Sequence, residues 1–266
     1  MPEGDTVFLA GKRLDEALAG QRLSRGELRH PRLSTVDLKD RVVLGVHSVG
    51  KHLFLRFDDS RSLHTHFRMD GAWHLYAPGE RWRGPGHQVR AVLATPTRVA
   101  VGFRLHDMEL LATADEQRLV GHLGPDLLDP SWTEEHEAEA IRRLTADPNR
   151  ELGLALLDQR VMAGVGNLYK SEVCFILGVS PWAPVSSADA GRVVNLARKL
   201  LLRNAFRPEQ STTGELARGR QHWVYERGGR ACRRCGTPIR RAPQGTGVEQ
   251  RGTYHCPTCQ VAPERG

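Results

Sequence analysis

Four cysteines near the C-terminus, Cys232, Cys235, Cys256 and Cys259, fall in a C-x2-C-x20-C-x2-C pattern. Two such knuckles bring four thiolates around one tetrahedral centre, at the linker length of a zinc ribbon. Thiolates bind the ion as anions, and the neighbouring Arg230, Arg233 and Arg234 favour their ionisation. Two disulfides would use the same residues. The opening Met-Pro-Glu-Gly-Asp-Thr, however, has neither the basic nor the apolar part of a secretion signal, so an oxidising compartment is not indicated. One structural Zn2+ is therefore expected. His255 adjoins Cys256 and is poorly placed to converge on the same ion, and Cys174, in Glu172-Val-Cys-Phe-Ile-Leu177, reads as a buried apolar residue.

The chain terminus is the second reactive feature. Methionine ahead of a small residue such as Pro2 is ordinarily removed, which leaves a secondary amine. An α-amino group has a pKa of roughly 7.7–8.0, so an appreciable fraction is neutral at physiological pH. A secondary amine condenses with a sugar C1′ to an iminium ion, an electron sink that needs no further proton loss. Glu3 stands beside it as an acid or base. A frayed terminus would carry the same residues, so this reading needs support from elsewhere in the chain. A third segment, Ala163-Gly-Val-Gly-Asn-Leu-Tyr-Lys170, pairs a Gly-rich turn with a helix start. Asn167 is expected to cap a helix over Leu168–Leu177, ended by Gly178, whose first N–H groups suit a phosphate. An ordinary helix connection would read the same way.

Positioning such groups takes a folded scaffold, and the 266 residues are enough for two compact units. Hydrophobic residues at 39% and charged residues at 26% exclude global disorder. No apolar run approaches the roughly 20 residues of a membrane helix, so a soluble, cytoplasmic protein is expected. Val7, Ala10, Leu14 and Leu18 recur at helical spacing, with Asp5 or Thr6 as cap and Gly20 as stop. Apolar alternation then predicts strands over Arg41–Val49, His52–Phe57, Leu63–Phe67, Ala72–Ala77, Val89–Ala94, Arg98–Phe103 and Met108–Leu111, the spacing of a β-sandwich or barrel. After Pro130 the period turns helical. Thr133 caps Glu134–Thr145, Leu152–Gln159 is a short helix, and Ser187 starts a helix running to about Arg203. The net charge of +7 permits a polyanionic partner, and it is concentrated: twelve Lys and Arg against three Glu lie between Arg198 and Arg241.

Taken together, Pro2-Glu3-Gly4, the Gly50-Lys51 turn, Gly164-Val-Gly-Asn167 and the cysteine quartet resemble, in order, the formamidopyrimidine-DNA glycosylase/endonuclease VIII family. The resemblance spans residue 2 to about 260. It implies an α+β, multidomain fold: an N-terminal catalytic helix with a β-sandwich (1–125), a helix-two-turn-helix DNA-binding domain (126–222) and a zinc-ribbon β-hairpin (223–262). It also implies a monomeric, bifunctional DNA repair enzyme that excises oxidised bases from double- or single-stranded DNA and cuts the abasic strand, with no membrane partner. By resemblance, Pro2 is the nucleophile that forms the Schiff base, and Glu3 the acid that assists ring opening. Lys51 lies near the scissile phosphates, and Arg251 is the hairpin arginine that grips phosphate and promotes δ-elimination, a task suited to a guanidinium. Asn167 is the DNA-backbone contact. Arg68 and His122 occupy DNA-contacting positions where the better-known pattern has Gln and Arg.

Two departures bear on the branch. A flipped-out base leaves a hole that side chains must fill. In His66-Phe-Arg-Met-Asp-Gly71, Met69 is the first candidate wedge and Phe67 the second. The Arg-Arg-Phe-Gly run by which the formamidopyrimidine branch faces the orphaned base is absent, and Leu105-His-Asp-Met-Glu-Leu110 stands there instead. The chain thus resembles the endonuclease VIII branch, which prefers oxidised pyrimidines. A formamidopyrimidine or 8-oxoguanine glycosylase, or a zinc-ribbon DNA-binding module without turnover, are the alternatives.

Overall fold

The computed structural model describes residues 2–247 and 250–260. Met1, and with it the expected maturation step, lies outside them, as do 261–262 at the end of the expected hairpin. The chain divides into two compact units, Met1–His122 and Leu123–Gly266. Among the described residues no helix is long and apolar enough to cross a membrane.

The first unit opens with α1 (Gly4–Leu18) and continues through β1 (Arg25–Leu28), β2 (Val43–Val49), β3 (His52–Phe57), β4 (Arg61–His66), β5 (Ala72–Tyr76), β6 (Val89–Ala94), β7 (Val99–Phe103) and β8 (Asp107–Ala112), ending in α2 (Glu116–Val120). The strands form two four-stranded sheets, ordered β1-β6-β7-β5 and β2-β3-β4-β8, and every pairing is antiparallel. Alternation along each strand sends one set of side chains inward. Leu53, Leu55, Leu63, Leu93 and Ala100 pack there with Val7, Leu14 and Leu18 of α1. The apolar stripe of α1 closes that core. The helix begins earlier than its apolar pattern indicates. Glu3, in extended backbone (φ −124°), is the N-cap and accepts the Val7 N–H at 3.1 Å, while Asp5 lies buried in the first turn. Asp5 and Thr6 are therefore helical residues and not caps.

The second unit contains α3 (Glu134–Thr145), α4 (Leu152–Leu157), α5 (Asn167–Leu177) and α6 (Ala190–Asn204), followed by the ribbon β9 (Arg240–Gln244) and β10 (Arg251–His255). Thr133 caps α3 as expected, its own N–H donating to His136 Nδ1 at 3.1 Å. Two other expected caps differ. Ser187 belongs to a short 3-10 turn, and Asp189 caps α6 by accepting the Arg192 N–H at 3.0 Å. Gly166 precedes α5, which frees the Asn167 side chain from capping. Gly178 ends α5 in the left-handed conformation (φ 74°) that the sequence anticipates.

Candidate functional site

In the first unit, Asp15 Oδ1 of α1 accepts the Val46 N–H of β2 at 2.7 Å. One turn nearer the N-terminus, a Cβ on Gly11 would lie 3.8 Å from Ser48 N and 3.0 Å from Leu53 Cδ1. Each turn back along α1, about 5.4 Å, thus advances two residues along β2, about 6.6 Å. The helix therefore runs antiparallel to β2, with its N-terminus pointing along β2 in the direction of the Gly50-Lys51 turn into β3. That two-residue turn, closed by the Val49–His52 pair, requires a positive φ at its first position, and Gly50 supplies it at 57°. Glu3 is fully buried, whereas Pro2 and Lys51 are half-buried. A buried carboxyl directly after Pro2 suits nucleophilic attack with acid–base help wherever Pro2 carries the terminal amine.

The outward face of β2-β3-β4-β8 carries a feature that sequence pattern alone does not reveal. Cross-strand pairing sets His52 against His66 and Phe54 against His64. His52 Nδ1 and His64 Nε2 share a hydrogen bond at 2.9 Å, and the His52 ring meets His66 edge-on at 5.1 Å. These rings line a cavity of about 400 Å³ with Arg32, Arg68 and Asp107. Burial lowers His52 from 6.5 to about 3, and His64 and His66 to about 4. All three are neutral at physiological pH. Their lowered values mean the unfolded chain binds protons that the folded ladder refuses, so stability is full above pH 6.5 and falls as the pH drops toward 4. Between pH 7 and pH 5 the loss is expected to reach a few kcal/mol, since each tenfold change in proton affinity corresponds to about 1.4 kcal/mol. Thermal unfolding across that range checks this, and an unchanged midpoint would refute it.

Next to the ladder, the loop after His66 is pinned on both flanks. Gly71 N–H donates to Phe67 O at 2.8 Å, Arg104 Nε donates to Asp70 O at 2.9 Å, and Arg68, at φ 51°, pairs with Asp107. Phe67 is 2% exposed and belongs to the sandwich core, which removes it as a wedge. Met69, 64% exposed, stands at the tip of the braced loop. The β7–β8 connection is only Arg104-Leu105-His106, too short to project a separate reading loop. His122 is exposed at the end of the unit, close enough to oppose protonation of His52.

In the second unit Asn167 is buried, and its Nδ2 donates to Gly252 O of β10 at 3.0 Å. Its Oδ1 is buried with no hydrogen-bond partner among the described residues. One turn on, the fully buried Lys170 donates to Thr253 Oγ1 at 2.5 Å. Glu172, also fully buried, accepts the N–H groups of Trp223, Val224 and Tyr225, each at 2.8 Å, and thereby fixes the segment that leads into the cysteines. Charged residues three and five positions after Asn167, in an otherwise apolar helix, are the signal that points to Lys170 and Glu172. Arg251 is exposed at the start of β10, with Nη1 donating to Gln250 O at 2.9 Å.

The sulfurs of Cys232, Cys235, Cys256 and Cys259 lie within 4.8 Å of one another, placed to hold a metal ion. The Cys232–Cys259 and Cys235–Cys256 separations, 3.9 and 3.4 Å, bracket the roughly 3.8 Å edge of a tetrahedron with 2.3 Å metal–sulfur bonds. Burial and the neighbouring sulfurs push Cys259 up to about 12 and raise Cys256, while Thr237 hydrogen bonds bring Cys235 down to about 6. Four thiols this close ionise together only around a cation, so the donor set fits a thiophilic metal. Cys174 lies outside the group, fully buried, with its thiol pushed up to about 12 by burial.

Comparison with known proteins adds to this geometry. Residues 1–124 match the formamidopyrimidine-DNA glycosylase N-terminal domain, and residues 123–215 match the formamidopyrimidine-DNA glycosylase H2TH domain. The chain is 55% identical to a Streptomyces coelicolor protein named probable endonuclease 8 2, over 99% of this chain and 95% of that one. It is 48% identical to a DNA-(apurinic or apyrimidinic site) lyase of Mycolicibacterium smegmatis, over 98% and 100%. In fold it is similar to Lactococcus lactis formamidopyrimidine-DNA glycosylase, solved non-covalently bound to DNA with an abasic site. The TM-score is 0.77 at 21% identity, over 98% of this chain and 100% of that one.

Proposed function

This chain belongs to the formamidopyrimidine-DNA glycosylase/endonuclease VIII family, and from that premise we propose that it is a bifunctional DNA glycosylase and abasic-site lyase of base excision repair. The observation that carries the reading is the fully buried Glu3 directly after Pro2, at the N-cap of α1. The Pro2 nitrogen attacks C1′ of the damaged nucleoside. A nitrogen–carbon bond forms as the bond to the base breaks, and Glu3 protonates the ring oxygen as the sugar opens to the iminium. Loss of a C2′ proton to a base then expels the 3′ phosphate. A second elimination, promoted by the Arg251 guanidinium, expels the 5′ phosphate. Lys51 and Asn167 each contact the DNA backbone.

The metal is Zn2+, held by Cys232, Cys235, Cys256 and Cys259 in a closed structural site. The module that holds it is the third functional part of the chain (223–262), after the catalytic part (1–125) and the helix-two-turn-helix (126–222). The protein works as a monomer on chromosomal DNA in the bacterial cytoplasm.

Oxidised pyrimidines are the assigned substrates. Met69 fills the gap left by the flipped base, Arg68 and His122 flank it, and the three-residue β7–β8 connection leaves the opposite base unread. Oligonucleotides carrying single lesions test this. Excision of thymine glycol or 5-hydroxycytosine with weak dependence on the opposite base is expected. Met69→Ala should slow excision from duplex more than from single strands, because unstacking costs a few kcal/mol. Cytosine-dependent removal of 8-oxoguanine with pyrimidine lesions ignored would assign the other branch.

A further inference from the structure

The hairpin that carries Arg251 is tied to the helices of its unit by a buried chain of polar side chains. Lys170 Nζ of α5 donates to Thr253 Oγ1 of β10 at 2.5 Å, and Thr253 Oγ1 donates to Gln244 Oε1 of β9 at 3.1 Å. Gln244 Nε2 donates to Glu151 Oε2 at 2.9 Å, at the start of α4, and to Pro181 O at 2.8 Å. Lys170 and Thr253 are fully buried, and Gln244 is 2% exposed. Both strands of the ribbon are thus held from below, by the N-terminal ends of two helices. Asn167 adds its bond to Gly252 O from the same turn of α5.

The placement of these bonds relates them to the exposed arginine. Gln244 is the direct cross-strand partner of Arg251, and Thr253 lies two residues along on the same face of β10. Residues 252 and 253 are both fixed from α5, so the backbone that delivers Arg251 has little freedom to shift or rotate. Buried side chains bonded in series lose far more when one member is removed than exposed ones, because the remaining partners stay desolvated. The metal-ligating Cys256 follows the far end of β10, four residues or more from Arg251. The Arg251 end is fixed by the polar chain.

We propose that Lys170, Thr253 and Gln244 are positioning residues for Arg251, holding its guanidinium where the second elimination needs it. The inference rests on the lyase reading above. The test uses the full zinc-loaded chain and a duplex with one abasic site. It reads borohydride trapping, the ratio of δ- to β-elimination products, and zinc content for each variant. Thr253→Val keeps the shape and removes the hydroxyl, while Thr253→Ser keeps the hydroxyl. Thr253→Val is expected to retain zinc and trapping while lowering the δ share about tenfold, within the range an ångström-scale misplacement costs. Thr253→Ser should restore it. Gln244→Met carries the same expectation and serves if Thr253→Val loses its metal. Zinc-loaded variants that trap normally at an unchanged product ratio overturn the proposal. So does a valine variant that the serine variant does not better. A wild-type chain that traps no abasic DNA instead overturns the lyase reading, and this inference with it.

Discussion

Pro2→Gly is expected to lower borohydride trapping on an abasic-site duplex by about 100-fold or more, with duplex binding little changed. Glycine keeps a terminal amine but loses the ring that fixes its direction, and a misplacement of about 1 Å in a near-attack geometry costs about that much. The N-cap position of Glu3 makes the geometry strict, because the residue that follows the amine is locked into the start of α1 by the Val7 N–H bond. Glu3→Gln keeps that backbone cap and the side-chain volume, and removes only the acid. It should impair base excision by roughly 10²–10⁴-fold, the usual contribution of a general acid, and cleavage of a preformed abasic site by less. Mass analysis must find Pro2 as the first residue of the active protein. Full activity of both variants with Met1 retained would exclude the terminal amine as nucleophile.

Local pattern is legible wherever one physical effect dominates. His52–Phe57 and Val89–Ala94 are short apolar runs bounded by Gly, Asp, Ser or Pro, and β3 and β6 have those bounds. Glu134–Thr145 has a cap, an acidic first turn and an apolar stripe, and α3 matches it to the residue. Strand β1 escapes the pattern because Arg25-Gly-Glu-Leu28 has no apolar alternation to read. Its charges pair along the strand, with Arg25 and Arg29 both on Glu27, and Gly26 lets the backbone press against Leu38. Ser187 and Asp189 are both good caps, and the 3-10 turn Val185–Ser187, which takes up Ser187, leaves Asp189 to cap the helix.

The metal donors are legible in the sequence, and the groups that hold the ribbon are not. The cysteine quartet is set by spacing along the chain. The polar groups that hold the ribbon are joined across 83 residues for Lys170–Thr253 and about 50 for Glu172 with Trp223, and no local rule encodes such pairs. The histidine ladder is hidden for a related reason. One histidine on β3 and two on β4, lying 12 and 14 residues from it, show no relation along the chain, and only the strand register brings His52, His64 and His66 into one neutral cluster.

The second large effect belongs to the metal. Cys256 is fully buried and packs with Phe175, Val224, Cys232 and Ile239 in a small cluster, the main apolar core of the ribbon. So little buried area cannot offset the entropy of ordering the hairpin, and on the proposed zinc site the ion supplies the difference, about 10–16 kcal/mol in isolated zinc peptides. Cys256→Ser replaces a thiolate with a hydroxyl that does not ionise, so zinc is expected to fall from one per chain to near zero. With the ribbon unfolded, Asn167 and Lys170 lose their bonds to Gly252 and Thr253, and Arg251 is no longer delivered to the DNA. Tight binding and strand cleavage should both be lost. The sandwich core around Leu53, Phe57 and Leu93 contains none of the four metal ligands and should keep its own unfolding transition. Arg251→Ala is the matched control: full zinc and near-normal trapping, with products shifted from δ- toward β-elimination. Together the two variants separate folding of the ribbon from the chemistry of its tip. A zinc-free Cys256→Ser protein that still cleaves at the wild-type rate would refute the structural role of the metal, while an Arg251→Ala protein with unaltered products would leave the ribbon as a binding element alone.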